Sequence, residues 1–162
     1  MSMILQQTLD PIVGLPLRHL GRDGRTFNAH FGEFYRPPVS EEDTEVFCDW
    51  MLAVWCPWRI TKPGRIEIAS LDFDDSWRDD DLGDPDRDGS RFDFMAYLLH
   101  KEFWTKPPIV EEITQDDVGG FSISLSKGYR FAAFPADSEI MLERSFWRLT
   151  KSEVNERGRR CR

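Results

Sequence analysis

Reactive chemistry is sparse in this chain. Its three histidines (His19, His30, His100) and three cysteines (Cys48, Cys56, Cys161) include no C-x-x-C or H-x-x-x-H spacing, so no metal-ligand set is visible. His19 and His30 flank a turn and could be cross-strand neighbours, but without a placed carboxylate or thiol they make no catalytic group. His100 falls in the last turn of a helical stretch and reads as a cation facing a helix C-terminus. There is no nucleophile elbow, P-loop or dinucleotide fingerprint, and Gly119-Gly120 reads as a turn. Motif-bearing enzymes are thereby disfavoured. An active site assembled from distant residues would leave no mark in the spacing.

Other absences narrow the class further. No apolar run approaches the roughly 18 to 20 residues needed to cross a bilayer. The start, MSMILQQTLDP, lacks the basic opening and small-residue cleavage pattern of a signal peptide. The expectation is a cytoplasmic protein with no membrane partner. Basic residues are concentrated only in 151–162, where one Lys and four Arg stand against Glu153 and Glu156; this reads as a solvated tail, and nucleic-acid binding by the folded body is disfavoured. Cys48 and Cys56, eight residues apart on one extended strand, would lie about 26 Å apart at ~3.3 Å per residue, too far for a disulfide. Reduced core thiols are expected.

What is present is a long apolar stretch from Phe47 to Phe73 that holds three of the six tryptophans. From Cys48 the even positions (Trp50, Leu52, Val54, Cys56, Trp58, Ile60) are apolar and the odd ones mixed, the period of a strand with one buried face. Lys62-Pro63-Gly64-Arg65 supplies a tight turn, with Pro at its second place and Gly at its third. Ile66, Ile68, Leu71 and Phe73 lead back as a second strand. Pro57 cannot donate to a ladder and marks a bulge, an edge or a bend.

Around this hairpin the chain reads as short strands and one helix. Leu15, Leu17 and His19 lead through a turn at 21–24 into Phe27, Ala29 and Phe31, with Asn28 and His30 on the opposite face. A loop is expected from Glu33 to Glu45. Phe92, Met95, Leu99 and Phe103, widened by Leu98, recur with helical period over about residues 91–104, opened by a capping-box-like Ser90/Asp93 pair and closed before Pro107-Pro108. Ile109 to Thr114, Phe121 to Leu125, Tyr129 to Ala133 and Arg144 to Thr150 complete the strands. The fold class is α+β in one domain over 1–150: an antiparallel, curved or barrel-like sheet of about seven strands with one main helix packed on it.

Charge is the other conspicuous feature. Of a formal net charge of −8, most lies between Asp72 and Asp93, where ten Asp face Arg78, Arg87 and Arg91. Within it Asp84-Pro85-Asp86-Arg87-Asp88-Gly89 has the D-x-D-x-D-G opening of a calcium loop, but position 12 is Met95, which cannot close the site. Asp84, Asp86 and Asp88 are the residues a calcium ion would use, and otherwise no cofactor is expected. As a docking surface the segment offers Asp74, Asp75, Trp77, Asp79, Asp80 and Asp81: concentrated like charge steers a basic partner, and Trp is a frequent interface anchor.

Cys56-Pro57-Trp58-Arg59-Ile60, Ile68-Ala69-Ser70-Leu71-Asp72, Gly128-Tyr129-Arg130-Phe131 with Phe134-Pro135, and Phe146-Trp147-Arg148-Leu149 give the chain a look that resembles small single-domain bacterial proteins of unknown function. In size, acidity and strand-rich layout it is similar to immunity proteins that neutralise secreted toxins. The resemblance implies a binding protein rather than an enzyme, and the charge of the 72–93 loop makes that loop the expected docking surface for a basic protein such as a toxin. The competing expectation is a small-molecule-binding or enzymatic pocket between helix and sheet, lined by Trp50, Trp55 or Trp58.

Overall fold

The structure, a computed structural model, describes residues 8–35, 47–74, 90–136 and 146–152. Among them are nine strands: β1 (Leu17–Asp23), β2 (Thr26–Tyr35), β3 (Phe47–Val54), β4 (Trp58–Lys62), β5 (Arg65–Ala69), β6 (Val110–Gln115), β7 (Phe121–Leu125), β8 (Arg130–Ala133) and β9 (Trp147–Lys151), with one α-helix, α1 (Arg91–Phe103), between β5 and β6. The α+β class is as expected. The single sheet of about seven strands is corrected to two antiparallel sheets, ordered β1-β2-β3-β9 and β5-β4-β8-β7-β6, and these do not close into a barrel among the described residues.

The split runs through the stretch read as one strand. Residues 47–54 belong to the first sheet and 58–62 to the second, so only β4 and β5 form the expected hairpin, turning at Gly64 with φ 81°. Pro57 marks the bend. At this corner the Trp55 N–H donates to Phe146 O at 3.1 Å and the Pro57 carbonyl accepts the Phe134 N–H at 2.9 Å, so the missing proline donor falls where no ladder needs it. Alternation nevertheless persists through the corner: Cys48, Leu52, Val54, Cys56, Trp58 and Ile60 are all buried. A second seam joins the sheets where Pro16 and Ile109 form a β-bridge, flanked by Gly14 N–H to Val110 O at 2.8 Å and Val110 N–H to Leu15 O at 3.0 Å.

Both sheets and the helix share one core. At its centre Phe27 of β2 stacks on Trp58 of β4 with ring centroids 3.8 Å apart, and Phe92 of α1 and Phe131 of β8 meet that pair edge-on. α1 begins as the sequence indicated: Ser90 Oγ accepts the Asp93 N–H at 3.4 Å, and the Asp93 carboxylate accepts the Ser90 N–H at 3.0 Å. Its buried face is Phe92, Ala96, Leu99 and Phe103, with Met95 half-buried; Leu98, expected to widen that stripe, points to solvent.

Smaller corrections share a cause. β2 continues to Tyr35 across an irregularity between Phe31 and Phe34, where a loop was expected from Glu33. β9 extends through Lys151, which the sequence placed in the tail, because its backbone pairs with Trp50. Strand pairing, not local polarity, sets these ends. The remaining parts of the expected loop and tail, 36–45 and 153–162, lie outside the described residues.

The two tryptophans at the corner should differ sharply. Trp58 is 1% exposed and Trp55 44%. Trp58→Ala should lower the urea-unfolding free energy by about 3–5 kcal/mol, and Trp55→Ala by less than about 1 kcal/mol. Comparable losses in the two variants would contradict the shared aromatic core.

Candidate functional site

Of the six residues expected to dock a partner, Asp74 is described; Asp75, Trp77, Asp79, Asp80 and Asp81 lie outside the described residues, as do Asp84, Asp86 and Asp88 of the calcium-like motif. Among the described residues no group of three or more His, Cys, Asp or Glu side chains could hold a metal ion.

What the structure does place is the pair of ends from which the acidic segment departs. Arg25, at the β1–β2 turn, grips Asp74 with two parallel hydrogen bonds, Nη1 to Oδ1 at 2.6 Å and Nη2 to Oδ2 at 2.9 Å. Arg22, near the end of β1, makes the same fork to Asp93 in the first turn of α1, Nε to Oδ1 at 3.2 Å and Nη2 to Oδ2 at 3.0 Å. Arg91 Nε lies 3.8 Å from Asp72. The fork geometry fixes direction as well as charge. The Arg25 guanidinium holds the Asp74 carboxyl below the usual range. At Asp93 partial burial opposes ionisation, but Arg22 and Ser90 outweigh it, and this carboxyl too is held low. No sequence signal singled out Arg22 or Arg25, because their partners are 71 and 49 residues away.

Beside these pairs all three histidines converge. His19 lies opposite His30 in the β1–β2 ladder, as expected, with ring centroids 5.4 Å apart, and stacks on His100 of α1 at 4.2 Å; His100 in turn stacks on Trp104 at 5.4 Å. A bulge between Leu17 and His19 produces this. It shifts the alternation by one, so that Leu17 and Leu20 both face the core and His19 joins His30 on the other side. The reading of His100 as a helix-end cation is corrected: its Nε2 accepts the Leu20 N–H at 2.9 Å, and burial lowers its pKa to about 4, so the ring is neutral. β1 is the outer strand of its sheet, and His100 caps one of its outward N–H groups.

The tryptophans expected to line a pocket are dispersed. Trp58 is enclosed by Phe27, Phe73, Phe92 and Phe131, Trp50 is half-buried under Lys151, and Trp55 is exposed at the corner. Cys48 and Cys56 are free and buried, as expected, and burial pushes their thiols up to about 12 and about 11, so neither is a ready nucleophile.

No helix among the described residues is long and apolar enough to cross a membrane. No protein-family model, curated protein or solved structure matches the chain.

The Arg22–Asp93 fork is half-exposed, so its contribution is modest. A double-mutant cycle with Arg22→Ala and Asp93→Ala should give a coupling of about 0.5–1 kcal/mol that shrinks in high salt. Asp93→Ala alone should cost more, since it also removes the helix cap. Zero coupling at low salt would show that the fork does not hold the start of α1.

Proposed function

We propose that this is a binding protein of the immunity-inhibitor type, which docks a basic protein partner, such as a toxin, through the acidic segment 72–93. The observation that carries the reading is the set of arginine pairs at the two ends of that segment. Asp72, Asp74 and Asp93 are engaged by Arg91, Arg25 and Arg22, which tie both ends to the β1–β2 hairpin and the helix start. Between them, residues 75–89 carry seven Asp against Arg78 and Arg87, a net of −5 (2 − 7) in fifteen residues. The anchors fix where the segment leaves and rejoins the fold, and its concentrated negative charge favours encounter with a cationic surface. Trp77 adds an apolar anchor within the same segment.

The test separates this segment from bulk charge. A lysine-rich peptide is titrated calorimetrically into the protein, into a variant with Asp79, Asp80, Asp81 and Asp84 changed to Asn, and into one with the exposed Asp10, Glu111, Glu112 and Asp117 changed to their amides. The first variant should bind roughly tenfold more weakly, the second nearly as well as the parent, and about 0.5 M salt should suppress all binding. Equal losses in the two variants would end the assignment to 72–93.

A further inference from the structure

The histidine cluster sits where the only α-helix among the described residues meets the outer strand of a sheet. α1 packs chiefly on β1, and one of its ties to that strand is the bond from the Leu20 N–H to His100 Nε2. An imidazole can accept there only while Nε2 carries no proton. A proton on that nitrogen sets donor against donor, and a charge on His100 then lies within one stacking distance of His19. We propose that protonation of the His100–His19 stack releases α1 from the edge of β1, making this seam an acid-operated latch.

A backbone contact from Leu20 favours a charged His100, but burial outweighs it, and the surroundings otherwise offer the charged forms little. His19 Nδ1 is buried with no hydrogen-bond partner among the described residues, and the groups that bear on His19 are the other two imidazoles. Several of the charged side chains on the packed elements have other partners. On α1, Asp93 pairs with Arg22, Lys101 lies over the Tyr97 ring, and Glu102 accepts the Tyr129 hydroxyl and lies 3.5 Å from Lys127. On β1, Arg18 Nε donates to Gly32 O and its Nη2 lies 4.0 Å from Glu33 Oε1 of β2. On β3, Asp49 accepts the Glu33 N–H, and the residue opposite His30 is the uncharged Met51.

Burial, followed by the charges His100 and His30 would carry, lowers His19 to about 3, and burial lowers His100 to about 4, both from 6.5. The opened seam therefore binds protons more readily than the closed one. Stabilisation by the seam is complete above about pH 6.5 and is lost as pH falls toward 4 and 3. At pH 5 opening is favoured about 30-fold for each imidazole relative to neutral pH. The carboxylates held low, Asp93 and Asp74, stay ionised at pH 5.

Amide hydrogen exchange on the full chain, corrected for intrinsic rates, reads the latch directly. Between about pH 7.5 and about pH 5, protection at Leu20 and in the His100 half of α1 should fall about 30-fold or more, while the first turn of α1, β7 and β8 keep theirs. H100Q, whose side-chain oxygen can still accept the Leu20 N–H, and H19F, which keeps a stacked ring, should each flatten the acid response. Direct NMR titration of the three imidazoles in the parent protein needs no variant to fold. Titration of His19 and His100 near 6.5, loss of protection spread evenly over β7 and β8, or an undiminished acid response in both variants would each overturn the proposal.

Discussion

The stack of Phe27 on Trp58 is the contact that makes two sheets into one domain. Phe27 lies on the inner face of the first sheet and Trp58 begins the second, so their 3.8 Å approach spans the layers at the place where the chain passes between them. A flat pair of large rings buries much apolar area and leaves few ways to slide. Phe92 and Phe131 present edges to the same pair, so the helix and the second sheet are positioned by one cluster rather than by separate contacts. The arrangement carries a cost: Trp58 Nε1 is buried without a partner among the described residues. The ring's packing offsets one orphaned donor.

An outer strand exposes unpaired amides, and this fold covers β1 with a helix. The helix has apolar residues on both faces: Phe92, Ala96, Leu99 and Phe103 inward, Tyr97 and Leu98 outward. Hydrophobicity alone therefore does not fix its rotation about its own axis. The polar contacts supply that discrimination, because Arg22 reaches Asp93 at one end of the seam and Leu20 reaches His100 two turns further along. Both contacts come from the same short strand, so they set the helix azimuth and its position along β1 together.

Local periodicity made much of this legible. The alternation in 47–60, the turn at Pro63-Gly64, the Ser90/Asp93 cap and the alternating strands near 121–133 all reflect neighbours in sequence and appear where the pattern put them. The failures are those that period two cannot register. A strand that crosses from one sheet to the other keeps its inward face, so Cys48 through Ile60 reads as continuous although its hydrogen-bond partners change at Pro57. A one-residue bulge is equally silent in composition, yet it moved His19 to the face of His30. The site itself was less legible still: Arg22 with Asp93, Arg25 with Asp74 and His19 with His100 are long-range pairs, and one chain read without relatives carries no signal for them.

The two features of the β1–α1 seam respond to different variables. The arginine forks depend on ionised carboxylates held below their usual range, so they persist through mild acid and weaken in salt. The imidazole stack depends on neutral rings in a desolvated place, so it resists salt and fails in acid. Because Asp93 lies at the start of α1 and His100 near its end, acid would free the far end of the helix while Arg22 still holds the near one. The motion allowed by that asymmetry is a pivot about the first turn rather than detachment. The pivot lies beside Ser90, where the acidic segment rejoins the described chain, so the helix end could swing without displacing the anchor that the proposed docking function requires.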